Sequence, residues 1–230
     1  MRVLVIPDLH IPFEHKSALS FLKLVRLKYQ TDTTVCVGDE VDMHALSRYV
    51  SDPDGFSAGH EYKAAMSKLK KWYAAFPKVL VCSSNHTSRP YRKAFDAGIP
   101  KEFIKSYQAL LGAPSGWKWA DSWEVDGVRY EHGEGFSGML AHRHIAIARM
   151  QSTVIGHVHS NAGVAHVATT KNKGVYGMNA GCLIDQTQYA FAYAKHARTK
   201  GSLGCGVVLG GVPYWVPMVV DSKGNWINKV

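Results

Sequence analysis

The residues of this chain that could bind metal ions fall into six short clusters. These are Asp8-Leu9-His10, Gly38-Asp39-Glu40-Val41-Asp42, Asn85-His86, His132-Gly133, Gly156-His157-Val158-His159 and Asn179-Ala180-Gly181. Most of them follow a stretch predicted to be a β-strand, which places each on a loop at the carboxyl end of a strand. Asp, Asn and His are ligands that Mn, Fe and Zn ions accept, and their number suffices for two ions that share one carboxylate. The sequence therefore predicts a metal site suited to the hydrolysis of a phosphate ester.

The clusters differ in how readily they arise by chance. Asp-x-His and Asn-His are weak signals in a chain with 12 histidines, whereas Gly-Asp-x-x-Asp and Gly-His-x-His are rarer. Histidines outside the clusters, such as His142 and His144, are interpreted as surface or core residues. The joint occurrence of all the clusters, in order and after predicted strands, favours a metal site.

Alternating strands and helices are expected to position these clusters. Apolar runs at 3–6, 34–37 and 78–82 predict buried strands, and residues 16–28 and 60–75 predict amphipathic helices. This alternation is typical of βαβ units and of a largely parallel sheet.

The second half of the chain is predicted to be richer in strands. Residues 90–115 interrupt the alternation as a helical insertion. Strands at 117–125 and 128–131 follow, joined by a hairpin turn at Asp126-Gly127. Further elements are expected as a helix at 138–149 and strands at 153–156, 163–169, 174–179, 205–210 and 213–220.

Composition and charge limit the class of protein. Apolar residues make up 46% of the chain and charged residues 20%, so residues 1–230 are predicted to form a single folded domain. The net charge of +9 favours polyanionic partners such as nucleic acid or nucleotides, although a solvated basic surface would give the same charge. No stretch approaches the roughly 18 apolar residues that span a membrane. No membrane partner and a cytoplasmic location are therefore expected, and the four cysteines, without CxxC spacing, are expected to be reduced.

Taken together, the clusters resemble the motifs of the calcineurin-like metallophosphoesterase superfamily, and the resemblance extends from Asp8 to Gly181. It implies an α/β fold, a sandwich of two mixed β-sheets flanked by helices. It also implies two divalent metal ions at the carboxyl ends of the strands, with Mn²⁺ as the first choice and Zn²⁺, Fe²⁺ or Ni²⁺ as alternatives. The implied ligands of one ion are Asp8, His10, Asp39 and His159. Those of the other ion are Asp39, Asn85, His132 and His157.

The resemblance also implies a catalytic pair, in which His86 matches the family's catalytic histidine and Asp42 matches the carboxylate beside it. A protonated imidazole can donate a proton to a leaving alkoxide, and a carboxylate keeps it charged and oriented. Arg89 is a candidate to bind phosphate oxygens, with a structural ion pair as the alternative. Glu40 flanks a predicted ligand, yet it is expected to face solvent or to form a salt bridge.

Two departures from the family pattern bear on the substrate. The usual Gly-Asn-His is Ser84-Asn85-His86 here, and Thr87 stands where Glu or Asp usually follows. Asp42 is followed by Met43-His44 rather than by the Arg-Gly of the Ser/Thr protein phosphatases. The second departure disfavours a protein phosphatase and favours the phosphodiesterase and nuclease branches.

The expected function is hydrolysis of nucleotide or nucleic-acid phosphodiester bonds by a hydroxide that bridges the two metal ions. The alternatives are a DNA or RNA nuclease, a phosphomonoesterase, and a metal-stabilised nucleic-acid-binding protein without catalysis. Residues 186–204 are predicted to form a loop that could contact a nucleic-acid strand or simply present a solvated basic face. Its candidate contact residues are Tyr189, Phe191, Tyr193, Lys195, Arg198 and Lys200. The oligomeric state is left open.

Overall fold

The computed structural model describes residues 1–48, 54–171, 174–188 and 200–230. Its strands are β1 (Arg2–Ile6), β2 (Thr33–Cys36), β3 (Val79–Cys82), β4 (Trp117–Ala120), β5 (Ser122–Val125), β6 (Val128–Glu131), β7 (Thr153–Ile155), β8 (Gly163–Val167), β9 (Val175–Asn179), β10 (Gly204–Leu209) and β11 (Val212–Pro217). Its helices are α1 (Ala18–Tyr29), α2 (Ala58–Ala75), α3 (Arg89–Asp96), α4 (Tyr107–Leu110) and α5 (Ala141–Arg149). Short 3-10 turns cover His44–Leu46 and Lys101–Phe103.

The strands form two mixed sheets. The first has the order β11-β10-β1-β2-β3-β4, in which β1 to β4 run parallel and β10 is antiparallel to both of its neighbours. The second has the order β5-β6-β7-β9-β8, in which β6, β7 and β9 run parallel and the two edge strands are antiparallel. Both sheets therefore contain adjacent parallel strands whose carboxyl ends meet at one edge.

The alternation of side chains along β1 separates two apolar cores. Val3 and Val5 face the second sheet, where they belong to the same buried cluster as Tyr130 and Met178. Leu4 and Ile6 point the other way and belong to the buried cluster that includes residues of α1 and α2. Helix α5 packs against the second sheet at β7, β8 and β9. The predicted sandwich of two mixed sheets flanked by helices is confirmed.

The predicted strand over 117–125 is wrong in one respect, because it is two strands that belong to different sheets. β4 pairs with β3 in the first sheet, and β5 pairs with β6 in the second, with the chain crossing between sheets at Asp121. Apolar alternation continues through both strands, so the sequence pattern carries no mark of the crossing. The predicted hairpin turn is confirmed, since Asp126 and Gly127 have φ values of +56° and +75°.

Between β3 and β4 the chain forms α3, a 3-10 turn and α4, and a single domain with a helical insertion over 90–115 stays a prediction. All four cysteines are buried and free. In the described ranges, no helix combines the length and apolar character that a membrane span requires.

Candidate metal centre

The predicted ligands converge where the carboxyl ends of the two sheets meet. Asp8 and His10 follow β1, Asp39 follows β2, and His132 and the 157–159 loop follow β6 and β7. The loops are tied together directly, since the backbone N–H of His10 donates to the Asp39 carbonyl at 2.8 Å. The backbone N–H of His157 donates to Asp8 Oδ2 at 2.8 Å across the two sheets.

Three of the predicted ligands have strained backbone. His10, Asp39 and His157 have φ values of +51°, +47° and +64°, in the left-handed region that residues with a Cβ seldom adopt. Each such residue costs on the order of 1 kcal/mol or more, and such residues concentrate at functional sites. The hydrogen bonds between the loops hold this strained arrangement in place.

One group of ligand atoms comes from Asp8, His10, Asp39 and His159, with all the atoms within 4.8 Å of one another. His10 Nε2 lies 3.0 Å from His159 Nε2 and 3.5 Å from Asp39 Oδ2. His159 Nε2 lies 3.2 Å from Asp8 Oδ2. This is the set that the family resemblance implied for one ion.

A second group comes from Asp39, Asn85, His132 and His157. His132 Nε2 lies 2.7 Å from Asn85 Oδ1 and 3.4 Å from Asp39 Oδ2. His157 Nδ1 lies 3.2 Å from both Asn85 Oδ1 and His132 Nε2. Asp39 Oδ2 therefore stands between the two groups. The seven predicted ligands are brought together, and their binding of metal stays a prediction.

Hydrogen bonds on the far side of two imidazoles fix their tautomers. His10 Nδ1 donates to Asp42 Oδ1 at 3.0 Å, and His132 Nδ1 donates to the Val37 carbonyl at 2.8 Å. In its neutral form each ring therefore presents the lone pair of Nε2 toward the centre, an arrangement that is typical of metal-binding histidines. Two imidazole nitrogens cannot face each other at 3.0 Å through lone pairs alone, so a proton or a cation must lie between them.

One oxygen of a buried carboxylate also lacks a partner. Asp8 is fully buried, and its Oδ1 has no hydrogen-bond partner among the residues that the structure describes. A buried unpaired carboxylate oxygen is costly, and a divalent cation would satisfy it. The orphaned oxygen and the converging lone pairs fit a divalent metal site with mixed oxygen and nitrogen ligands.

The charges of the centre depend on one another. Burial alone would lower the pKa of His132, but the Asp39 and Asp8 carboxylates raise it to about 10. Burial alone would raise the pKa of Asp39, but His132, His86 and His10 lower it well below its ordinary value. Burial lowers the pKa of His10, so without metal the protons on His132 and His86, whose pKa values are raised, supply the positive charge that the buried carboxylates require.

His86 lies beside the centre, with Nε2 3.9 Å from Asp39 Oδ2. Its Nδ1 contacts Asp42 Oδ1, the same oxygen that accepts from His10. Burial would lower the pKa of His86, but Asp39 and Asp42 outweigh it and raise the pKa. The predicted catalytic pair is therefore in contact, and its role stays a prediction.

Arg89 binds this pair. Its Nη1 donates to the Asp42 carbonyl at 2.9 Å and lies 3.3 Å from Asp42 Oδ1, while Nη2 lies 3.2 Å from His86 Nε2. The ion pair considered from the sequence is thus present. The guanidinium also lies at the edge of the metal centre, where it could contact a substrate oxygen.

The expectation for Glu40 is wrong, because this residue is fully buried. Glu40 Oε2 accepts from Thr87 Oγ1 at 2.9 Å, and Oε1 accepts from Trp119 Nε1 at 3.0 Å. Burial raises the pKa of Glu40 to about 7. Two neutral donors from distant segments therefore replace the solvent or salt bridge that the sequence suggested.

Sequence reasoning missed the positioning role of Ser84 and Thr87, the residues of the first departure from the family pattern. Ser84 Oγ accepts from the Asp39 N–H at 2.9 Å and donates to Thr87 Oγ1 at 3.1 Å. Thr87 in turn donates to Glu40. Ser84 and Thr87 thus belong to one buried network that ends at the backbone N–H of Asp39, the predicted shared ligand, and their joint occurrence was the only signal in the sequence.

Asn179 anchors the loop that carries His157 and His159. Its Nδ2 donates to the carbonyls of Val158 and Ser160 at 2.7 and 2.9 Å, and its Oδ1 accepts from the Gly181 N–H at 3.0 Å. The Asn-Ala-Gly cluster therefore positions ligands without supplying one. The candidate contact residues at 189–198 lie outside the described residues, so the loop proposed over 186–204 stays a prediction.

No known family profile and no curated protein sequence matches the chain. Among solved structures, it is similar to the E. coli phosphoesterase Yfce at 14% identity and a TM-score of 0.45, over 100% of this chain and 98% of that chain. Vacuolar Protein Sorting 29 from Cryptosporidium parvum matches at 12% identity and a TM-score of 0.42, over 94% of this chain and 95% of that chain. Pseudomonas putida nuclease MPE matches at 14% identity and a TM-score of 0.35, over 94% of this chain and 86% of that chain. Similarities this weak support no conclusion about activity.

Proposed function

We propose that this chain is a metal-dependent phosphodiesterase of the calcineurin-like metallophosphoesterase type, with two divalent ions and with Mn²⁺ as the preferred metal. The observation that carries the proposal is the position of Asp39 Oδ2, 3.5 Å from His10 Nε2 in one ligand group and 3.4 Å from His132 Nε2 in the other. A carboxylate oxygen between two groups of nitrogen and oxygen donors suits a pair of ions that share a ligand.

The ligands would hold the ions in two groups. Asp8, His10 and His159 would serve one ion, Asn85, His132 and His157 the other, and Asp39 both. When bound, the ions would polarise the phosphoryl group and lower the pKa of water at the site. Asp42 and the Val37 carbonyl keep the imidazoles of His10 and His132 turned toward the centre.

His86 is proposed to give its Nε2 proton to the leaving oxygen. Asp42 contacts Nδ1 and favours the imidazolium form. In that form, His86 Nε2 and Arg89 Nη2, 3.2 Å apart, are both donors. An anionic substrate oxygen that lies to one side of this pair, within reach of both nitrogens, would accept from each, which supports a substrate-binding role for Arg89.

Two features favour a diester over a monoester. The Met43-His44 sequence after Asp42 lacks the Arg-Gly of the protein phosphatases. The net charge of +9 favours substrates with several phosphates. A nucleotide or nucleic-acid diester is therefore the proposed substrate class, and a phosphomonoesterase and a nuclease are the alternatives within the same chemistry.

The test compares hydrolysis of bis-p-nitrophenyl phosphate and p-nitrophenyl phosphate by Mn²⁺-loaded protein, with bound metal measured by elemental analysis. We expect two ions per chain and faster hydrolysis of the diester. His86→Gln should lower kcat by about 10²- to 10⁴-fold while the metal content is retained. His60→Gln is the matched control, because His60 is an exposed residue of α2.

Three results would count against the proposal. A preference for the monoester would change the substrate class, and equal activities of the His86→Gln and His60→Gln variants would remove His86 from catalysis. Metal-loaded protein that binds nucleic acid with strong salt dependence, yet hydrolyses neither ester, would favour the non-enzymatic alternative.

A further inference from the structure

A groove of about 1210 Å³ begins at the candidate metal centre. Ser84 and His132 line its inner end, and its walls continue along α3, the 3-10 turn, α4 and β4. Pockets for small ligands usually measure about 300–1,000 Å³, so this groove exceeds the needs of a small diester. Its size favours a ligand that continues beyond the phosphate at the metal centre.

Basic side chains line the groove. Arg92, Lys101 and Lys118 all face it, and no carboxylate among the described residues lies within ion-pair distance of them. Two other cations of the lining are neutralised by a carboxylate, since Arg129 and Arg149 both pair with Glu131. The unpaired positive charge is therefore concentrated on the walls formed by the 89–119 segment.

Arg48 also lines the groove but pairs with Asp96 at 2.6 Å, so it adds little free charge. Asp121 and Glu134 are the carboxylates of the lining besides Glu131. The six cations and three carboxylates of the lining leave a positive balance, which suits a ligand with several phosphates rather than a neutral one.

Aromatic rings stand among these basic residues. Phe95 lines the groove and is 83% exposed. Tyr107 lies between Tyr91 and Trp119, with ring centroids 4.8 and 6.2 Å away, and all three rings line the groove. Aromatic rings interleaved with cations are typical of surfaces that bind single-stranded nucleic acid. The unstacked bases pack on the rings, and the phosphates contact Lys and Arg.

We propose that this groove binds single-stranded nucleic acid, with one phosphodiester at the metal centre and the adjoining nucleotides along α3, the 3-10 turn and β4. The inference deepens the proposed function and rests on it for the position of the cleaved bond. A polyphosphate or an acidic peptide would use the cations but would leave the rings without a role. In a duplex the bases are already stacked and would not reach the rings.

Arg92 joins the groove to the centre, because its guanidinium donates to the carbonyl of the predicted ligand Asn85. A strand that contacts Arg92 would thus lie next to the residue that presents the amide oxygen to the centre. Because a change at Arg92 could also disturb Asn85, the test uses Lys101, Lys118 and Phe95, whose side chains have no such contact in the described structure.

Binding is measured by fluorescence anisotropy with a fluorescein-labelled oligothymidylate of about 15 nucleotides. The protein is Mn²⁺-loaded and carries His86→Gln, so that the strand is not cleaved. Lys101→Glu/Lys118→Glu should weaken binding by about 10-fold or more and lower the slope of log K against log salt by roughly 1.4. Phe95→Ala should weaken binding by about 10-fold with little change in that slope.

The control is Lys23→Glu/Lys70→Glu, which makes the same charge change at exposed positions of α1 and α2. It should bind the oligonucleotide nearly as the parent protein does. Equal weakening by both charge-reversal variants would overturn the proposal, and so would wild-type binding by the groove variants. Tighter binding of a duplex of the same length would overturn it in favour of a duplex surface.

Hydrolysis of bis-p-nitrophenyl phosphate by the wild-type protein separates this inference from the proposed function. If the small diester is not hydrolysed but the oligonucleotide binds and depends on Lys101 and Lys118, the proposed function fails and the groove stands. If the small diester is hydrolysed and the oligonucleotide binding does not depend on these residues, the groove fails and the proposed function stands.

Discussion

Thr87 Oγ1 donates a hydrogen bond of 2.9 Å to Glu40 Oε2, and the two side chains are both fully buried beside the candidate metal centre. Trp119 satisfies the other carboxylate oxygen at 3.0 Å. Through Ser84, the same network reaches the backbone N–H of Asp39. The buried Thr87 is thus matched by a carboxylate from another loop.

We expect substitutions of Thr87 and Glu40 to have non-additive effects on the free energy of unfolding. Thr87→Val preserves shape but leaves Glu40 Oε2 without its donor, which should lower the free energy of unfolding by about 1–3 kcal/mol. In Thr87→Val/Glu40→Gln, the loss should be smaller than the sum of the single losses by at least about 0.5 kcal/mol. Urea denaturation measures all the variants, and the exposed Thr170→Val should change stability by less than about 0.5 kcal/mol. Additive losses would contradict the coupling.

Substitution of Gly156 is expected to weaken metal binding directly. A Cβ at this position would lie 2.1 Å from Asp8 Oδ1 and 2.9 Å from Val37 Cγ2. Gly156→Ala must therefore displace the Asp8 carboxylate, and Mn²⁺ affinity by isothermal titration calorimetry should fall by about 10- to 100-fold. Gly59→Ala is the control, because nothing lies within 4 Å of its Cβ and α2 should gain about 0.5–1 kcal/mol. Unchanged Mn²⁺ affinity in Gly156→Ala would show that Asp8 is not a ligand.

Metal removal should destabilise the fold, because Asp8 and Asp39 are buried carboxylates that a cation would neutralise. At free Mn²⁺ of about 100 times Kd, bound metal adds about 2.7 kcal/mol per site, and the two proposed sites together should raise Tm by about 10–20 °C. Differential scanning calorimetry with Mn²⁺ and with EDTA measures the rise. Asp39→Asn should reduce it, whereas Asp96→Asn, which removes only a surface ion pair, should preserve it. The same Tm with and without metal would count against a buried site.

The convergence of the candidate ligands could be predicted from the sequence because parallel strands bring their carboxyl ends to one edge. Asp8, Asp39 and Asn85 follow three neighbouring strands of the first sheet, and His132 and His157 follow two neighbouring strands of the second. A polar residue directly after each predicted parallel strand is therefore enough to predict that these side chains lie close together.

Other features depend on contacts that no local pattern records. The burial of Glu40 requires donors that lie 47 and 79 positions away along the chain. The chain passes from one sheet to the other at Asp121 because β4 pairs with β3 and β5 pairs with β6. The sequence shows only a continuous alternation of apolar and polar residues across this point. The groove similarly depends on how α3 and α4 pack beside β4, because the sequence marks the 90–115 segment only as helical.

The burial of Glu61 leads us to expect a pH dependence of stability that does not arise from the candidate metal ligands. It is 2% exposed and accepts hydrogen bonds from the backbone N–H groups of His44 and Ala45, at 2.6 and 2.8 Å, in the turn that follows Asp42. Burial raises the pKa of Glu61, and these two hydrogen bonds only partly offset it. With a folded pKa above the unfolded value, its contribution is fully present below the unfolded pKa and is lost as pH rises through the folded pKa.

Glu61→Gln stays neutral at every pH and therefore should not show this loss. The free energy of unfolding of the variant, measured against that of the wild-type protein, should improve as pH rises from about 4 to about 7. Urea denaturation at a series of pH values measures the difference, and Glu124→Gln at an exposed position of β5 is the control. A constant difference would mean that the pKa of Glu61 is the same in both states. A difference that grows in favour of the wild-type protein would mean that the backbone donors outweigh burial, and that the ionised carboxylate is what holds the loop of Asp42.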